Sequence, residues 1–120
     1  MRNLLLTFLS FFSSTNIFAQ TETLVYKTIA DSFELNYNEA QYDRIFSMFS
    51  PDMQEALPLE KTEDFFAGLQ SQAGKITQQK FVKMTQGTAA VYKATFDKTV
   101  FTINLSIDRD KKINGFFIRP

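Results

Sequence analysis

The sequence of 120 residues contains no cysteine, no histidine and no tryptophan. The absence of cysteine excludes disulfide bonds, a thiol nucleophile and thiolate metal ligands. The absence of histidine excludes a Ser-His-Asp triad, His-ligated zinc and an imidazole base. Thirteen basic and thirteen acidic residues give a net charge of zero. A chain with that balance is not expected to bind nucleic acid.

Residues 1–19 have the pattern of a secretory signal peptide. Arg2 is a short positive segment, residues 4–12 are apolar, and Ile17 and Ala19 stand at the −3 and −1 positions of a cleavage site. The apolar segment is shorter than the ~20 residues that a membrane-spanning helix needs. We therefore predict an exported chain, periplasmic or extracellular, that is soluble and does not bind the membrane after cleavage. Without cysteine it is not a lipoprotein.

Residues 20–120 are predicted to form a single domain, because they contain no internal repeat and no linker. Charge is divided unevenly along this segment. Residues 20–70 include ten acidic and three basic side chains, whereas residues 71–120 include three acidic and nine basic ones. The net charge of zero therefore hides an acidic half and a basic half.

The acidic half has the 3.6-residue apolar spacing of helices. Asn38 is predicted to cap the second helix, with Gln41 at its third position, as in a capping box. On the last helix, Phe65, Phe66 and Leu69 are predicted to face inward. Four helices are expected, over residues 22–36, after Asn38, after Ser50, and over residues 60–73.

The basic half alternates between apolar and polar residues, which is typical of half-buried strands. Short links between the strands predict an antiparallel meander. Helices followed by such a meander indicate an α+β fold, in which the helices cover the apolar face of the sheet. Four strands are expected, over residues 76–85, 89–96, 101–108 and 113–118.

Two segments carry a resemblance to a known family. Residues 42–58 read YDRIFSMFSPDMQEALP, and the chain closes with KINGFFIRP at residues 112–120. Together they resemble a bacterial domain of unknown function with a nuclear-transport-factor-2-like, cystatin-like cone. The resemblance covers about residues 30–120. It implies helices folded over a curved four-stranded antiparallel sheet, in a module that often precedes a β-lactamase-like or other serine hydrolase domain in exported proteins.

No serine in this chain is followed three residues later by lysine, so the Ser-x-x-Lys nucleophile of penicillin-recognising hydrolases is missing. We therefore predict a non-enzymatic accessory or binding domain that uses no cofactor and no metal. The resemblance makes a serine hydrolase the expected partner or fused domain. The chain is then either a stand-alone version of the module or a truncated hydrolase.

The alternative is a small isomerase or dehydratase of the cone type, in which a carboxylate works in an apolar pocket. Asp31 and Glu34 are the candidate bases, and Tyr26, Tyr37 and Tyr92 are the candidate hydrogen-bond donors. Against this alternative, both carboxylates lie away from the apolar stripe of the first helix, as expected of a solvated face.

A pocket between sheet and helices would be lined by Tyr26, Phe33, Tyr92, Phe101 and Ile103. The many phenylalanines either line such a pocket for an apolar ligand or fill it. Filling is the favoured interpretation, because a small domain without disulfides depends on every apolar contact in its core.

The lysines of the second half suggest a surface for an anionic partner. A solvated sheet face with charged edges that resist aggregation is the favoured explanation. Acidic helices on another copy could complement this face, so a homodimer through the sheet is a further prediction. The lysines concerned are Lys75, Lys80, Lys83, Lys93, Lys111 and Lys112.

Overall fold

The computed structural model describes residues 22–85 and 89–120. The predicted signal peptide, residues 1–19, lies outside this part. Four helices precede four strands, which confirms the predicted α+β order. The elements are α1 (Leu24–Asn38), α2 (Tyr42–Met48), α3 (Pro51–Ala56), α4 (Leu59–Ala73), β1 (Ile76–Met84), β2 (Ala89–Phe96), β3 (Val100–Ile107) and β4 (Ile113–Arg119).

Helix α1 begins where Thr23 caps it. The hydroxyl of Thr23 accepts a hydrogen bond from the backbone N–H of Tyr26 at 3.2 Å, which satisfies one of the free donors of the first turn. Its buried residues, Tyr26, Ala30, Phe33 and Tyr37, recur at intervals of three and four. This spacing places them on one helical face against the sheet.

The capping-box pattern predicted that Asn38 caps the second helix, and this prediction was wrong. It is the last residue of α1, and the next helix starts at Tyr42 after Gln41, which makes no side-chain cap. The Asn38 amide instead binds the first residue of β1. Its Nδ2 donates to the Ile76 carbonyl at 2.9 Å, and its Oδ1 accepts from the Ile76 N–H at 2.8 Å. The Asn38 side chain binds the Ile76 peptide group instead of capping a helix, because that N–H and C=O lie at the edge of the sheet and have no strand partner there.

Helix α3 starts at the predicted cap. The Ser50 hydroxyl accepts from the Met53 N–H at 3.2 Å, and proline occupies the first helical position. The Ser50 N–H donates to the Ile113 carbonyl at 2.8 Å, which ties the start of this helix to the start of β4.

Helix α4 buries only part of the predicted apolar face. Phe66 and Thr62 are fully buried, whereas Phe65 is 43% exposed. The prediction that Phe65 and Phe66 both face inward was therefore wrong for Phe65. Neighbouring residues of a helix point about 100° apart, and here Phe65 turns away from the direction in which Phe66 is buried.

Gly74 ends α4 and allows the chain to turn directly into β1. Its φ of 85° and ψ of −161° are rarely adopted by residues with a side chain. The Asp97 carboxylate lies close by and accepts from the Lys75 N–H at 2.8 Å. A β-carbon on Gly74 would lie 2.5 Å from that carboxylate.

The sheet is an antiparallel meander in the order β1-β2-β3-β4 and is not closed into a barrel. Its helix-facing side presents Tyr92 beside Ile103 and Ile103 beside Ile118. Extra residues interrupt the ladder in both edge strands, between Phe81 and Lys83 and again near the start of β4. Strands β1 and β4 are the two edges.

Aromatic rings fill the space between helices and sheet. Phe33 packs edge-on against Phe66, with 5.6 Å between ring centroids, and lies 5.1 Å from Phe116. Tyr37 packs edge-on against Phe96 at 5.7 Å. Such edge-to-face pairs add to the stabilisation that burial gives.

Among the described residues, no helix combines the length and apolarity needed to cross a membrane.

Candidate functional site

The five residues predicted to line a pocket lie in the core or directly against it. Four of them are at most 8% exposed, and Phe101 is partly buried against the same cluster. None of them lines the three surface clefts considered below. The residues are Tyr26, Phe33, Tyr92, Phe101 and Ile103. Their placement matches a filled interior better than an open one.

The two candidate catalytic carboxylates lie outside that core. Asp31 is exposed and forms a salt bridge with Lys27, with 3.1 Å between Nζ and Oδ2. Glu34 is half-buried at the rim, where its carboxylate accepts from the Gln79 amide at 3.1 Å. Neither side chain enters the buried interior between helices and sheet.

A carboxylate that the sequence did not single out does reach a buried tyrosine. The Tyr92 hydroxyl donates to Glu22 at 2.5 Å. Burial raises the pKa of Tyr92 strongly, and the hydrogen bond to Glu22 raises it further. Tyr92 is therefore a fixed donor that anchors the start of the described chain, and not a group ready to release a proton.

The other three tyrosines share this behaviour. Burial is the main cause that raises the pKa of each of them, Tyr26, Tyr37 and Tyr42. The Tyr37 hydroxyl donates to the Gly74 carbonyl at 2.7 Å. The Tyr42 hydroxyl donates to the Gln70 side chain. All three phenols thus act in packing and hydrogen bonding within the fold.

Clefts open on the described surface beside α1 and beside β4. One of about 370 Å³ lies between α1, the end of α2 and the loop that joins β3 to β4. A shallow one of about 230 Å³ runs along the start of α1. The third, of about 270 Å³, lies beside the outer edge of β4 and is entirely apolar in its lining: Phe49, Met53, Leu57, Phe65, Phe66, Phe116, Phe117 and Ile118. We call this third cleft the apolar groove.

The sheet surface that faces away from the helices carries a row of cations. Lys80 pairs directly with Lys93, Lys93 with Thr102, and Thr102 with Arg119. Directly paired residues point to the same face. Since adjacent strands are separated by about 4.8 Å, the row spans roughly 14 Å across all four strands.

The neighbouring row adds a fourth cation and an apolar end. Lys83 pairs with Val91, and Asn104 pairs with Phe117, which is 68% exposed. We call these two rows the cationic face. Its charged members are Lys80, Lys83, Lys93 and Arg119, and its exposed aromatic residue is Phe117.

The cationic face has no acidic counterpart. None of the four strands contains aspartate or glutamate. Within residues 22–85 and 89–120 the salt bridge observed is Lys27–Asp31 on α1, so none of the four cations is paired. A like-charged pair placed directly opposite on two strands, as Lys80 and Lys93 are, destabilises a sheet. This surface therefore retains an unfavourable charge arrangement that an anion would relieve.

The described residues bring no metal site together, since no group of three potential His, Cys, Asp or Glu ligands occurs among them.

Residues 30–116, more than two-thirds of the chain, match the family described as protein of unknown function DUF3887. The chain belongs to this family. Membership in DUF3887 agrees with the predicted domain of unknown function and assigns no activity. Neither a curated protein nor a solved structure matches the chain significantly.

In this DUF3887 chain the sequence placed Lys83 and Lys93 on outward positions of neighbouring strands, but it did not show that Lys80 shares their face. Lys80 and Lys83 are three residues apart, so strict alternation puts them on opposite faces of a strand. The extra residue between Phe81 and Lys83 shifts the alternation and brings both lysines to one face. The apolar groove was also missed, because it combines residues of α3, α4 and β4 that are far apart in the sequence.

Proposed function

We propose that this chain is an exported, non-enzymatic binding domain whose cationic face docks onto an acidic surface of a partner protein. The observation that carries the proposal is the row Lys80–Lys93–Thr102–Arg119 on strands that contain no acid. Arg119 and exposed Phe117 are of the types enriched at protein interfaces, and the lysines beside them would attract an acidic surface.

The family resemblance makes an exported serine hydrolase the first partner to examine, either as a separate protein or as a fused domain. The cone-type fold and the hydrolase association belong to this proposal. Export rests on the signal-peptide pattern of residues 1–19.

A non-enzymatic role is proposed because the candidate bases are poorly placed for catalysis. Asp31 is exposed and paired with Lys27, and Glu34 is bound to Gln79 at the rim. The interior between helices and sheet is occupied by rings such as Phe33 and Phe66. An isomerase of the alternative kind needs a desolvated carboxylate beside a space for substrate. Asp31 and Glu34 lie outside the buried interior, and rings occupy that interior.

Photo-cross-linking in the producing cells tests the proposal. A photoreactive amino acid replaces Thr102, in the middle of the cationic row, or exposed Glu63 on α4 as the control position. We expect a cross-linked protein specific to position 102, in the periplasmic or secreted fraction, on a chain that begins at Gln20. The proposal fails if position 102 captures nothing beyond what position 63 captures.

The captured protein is then purified and its affinity is measured by calorimetry at low and high salt. The double variant Lys80→Glu/Lys93→Glu should weaken binding at least tenfold, because it reverses the charge of the row. Arg44→Glu/Lys61→Glu changes the net charge equally on the helical side and should leave the affinity within twofold. Equal losses in both variants, or binding that is insensitive to salt, would contradict docking through this face.

A further inference from the structure

The two edges of the sheet are protected unequally. At the β1 edge, Asn38 takes both the N–H and the C=O of Ile76, and the Gln79 side chain binds the backbone of α1 at Ala30. Lys80 and Lys83 add charge along the same strand. Side-chain contacts and lysines of this kind are the usual means by which a protein keeps an edge strand from pairing.

Within the described residues the β4 edge carries less protection, which lies at its two ends: an extra residue near its start and Arg119 at its end. The Ile113 carbonyl is bound by Ser50. From Asn114 to Arg119, no backbone hydrogen bond joins β4 to any described element other than β3. The apolar groove lies along this bare edge. A free edge with apolar surface beside it has the features of a strand that accepts another strand.

The regular part of β4 is complementary to itself. The register shifts near the start of the strand, so the uninterrupted segment runs from Gly115 to Arg119 with Phe117 at its centre. An antiparallel pair of two such segments about a two-fold axis places Phe117 opposite Phe117 of the second copy. Phe116 then lies opposite Ile118, and Arg119 lies opposite Gly115.

This pairing satisfies the requirements of a continuous sheet. Phe116 and Ile118 both face the core in the single chain, so the paired residues lie on the same face, as directly opposed residues must. Arg119 lies opposite Gly115 of the second copy, so the pairing places no two like charges opposite each other. On the helical side, the apolar grooves of the two copies face each other, which removes Met53, Leu57 and Phe65 from water.

We propose that two copies of this chain pair through the β4 edge, with Phe117 on the two-fold axis, to form an eight-stranded sheet. An isologous contact of this kind closes on itself as a dimer. The proposal shares Phe117 and Arg119 with the cationic face, but it rests on the edge and the groove, so its tests are separate from those of the acidic partner.

Cysteine cross-linking tests the pairing directly, because the chain contains no cysteine of its own. Phe117→Cys puts two thiols opposite each other on the axis, at the separation of directly opposed strand residues, and oxidation should convert most of the purified protein into a covalent dimer. Val82→Cys is the matched control, since Val82 is 52% exposed on the other edge strand. Equal cross-linking of the two variants overturns the proposal.

Sedimentation of the chain purified from cells gives the second measurement. At tens of micromolar we expect a dimer for the unchanged chain and for Val82→Lys. Phe117→Lys opposes two cations on the axis and should shift the dissociation constant at least tenfold toward the monomer. Its circular dichroism should remain that of the unchanged chain, because Phe117 is 68% exposed and outside the core. A monomer at every concentration, or a dimer that is unaffected by Phe117→Lys, would refute the proposal.

Discussion

Asn38 and Ile76 are joined by two hydrogen bonds, one in each direction, between a side-chain amide and a backbone peptide group. The Asn38 amide thus replaces a neighbouring strand at the first residue of β1. It connects the last residue of α1 to the sheet across 38 positions of sequence. Together with the Tyr37 hydroxyl, which donates to the Gly74 carbonyl, this side chain holds the end of the long helix to the start of the sheet.

Asn38→Ala should therefore destabilise the fold. The substitution removes both partners of the Ile76 peptide group, and an unpaired buried donor or acceptor costs about 1–3 kcal/mol. Asn36→Ala is the control on the same helix, since Asn36 makes a weak contact with the Met48 sulfur at 3.7 Å. Urea unfolding should show a lower midpoint for Asn38→Ala and a much smaller change for Asn36→Ala. Equal midpoints for the two variants would show that the Ile76 bonds contribute little.

The two glycines of the α4 segment should respond to alanine in opposite directions. Gly68 lies within the helix with nothing within 4 Å of an added β-carbon, so Gly68→Ala should raise the unfolding free energy by about 0.5–1 kcal/mol. Gly74 has a φ of 85° and stands against Asp97. Gly74→Ala should lower the unfolding free energy by about 1–3 kcal/mol. Thermal unfolding of both variants measures whether each change raises or lowers the unfolding free energy. A stabilised Gly74→Ala protein would contradict the close approach of Asp97.

Stability should fall in alkali because all four tyrosines resist ionisation in the folded chain. The pKa of each is raised above the ordinary 10.0, mainly by burial. Above pH 10 the unfolded chain releases phenolic protons that the folded chain keeps. Their contribution is fully present below pH 10 and is lost as the pH rises toward the folded pKa values. The unfolding free energy should then fall by up to about 1.4 kcal/mol per pH unit for each tyrosine that stays protonated in the folded chain.

Absorbance at the tyrosinate band measures the ionisation of the tyrosines directly, since the chain contains no tryptophan. In urea the four phenols should titrate together near pH 10. In buffer their ionisation should be delayed and should coincide with unfolding at higher pH. A folded protein that ionises Tyr37 or Tyr92 near pH 10 would contradict their burial.

The order of elements could be predicted from the sequence because each half has its own period. Val25, Ile29 and Phe33 repeat as on a helix, and Ala90 and Tyr92 alternate as in a strand. Of the helical repeat Phe33 is buried, and the buried face of α1 continues through Tyr26 and Ala30. Both patterns are local, so they can be recognised without knowing what the residues contact. The predicted fold class followed from these two patterns and was confirmed.

The surface could not be predicted in the same way, because it depends on register. The alignment of Lys80 with Lys93 requires the strand pairing, and the presence of Lys83 on the same face requires the extra residue before it. The role of Asn38 requires its distant partner Ile76. Bulges, and hydrogen bonds from a side chain to distant backbone, produce no repeating pattern of residues in a single sequence.

The unequal edges of the sheet limit how far assembly can proceed. A fibre of stacked strands needs two pairing edges on every chain, one for each neighbour. Here Asn38 occupies the first residue of one edge, and lysines follow it. In the proposed dimer the β4 edges of the two copies pair with each other, and the edge that remains on each copy is this protected one. In the proposed dimer, the side chain that fastens α1 to the sheet would also hinder a third chain from pairing at the start of β1.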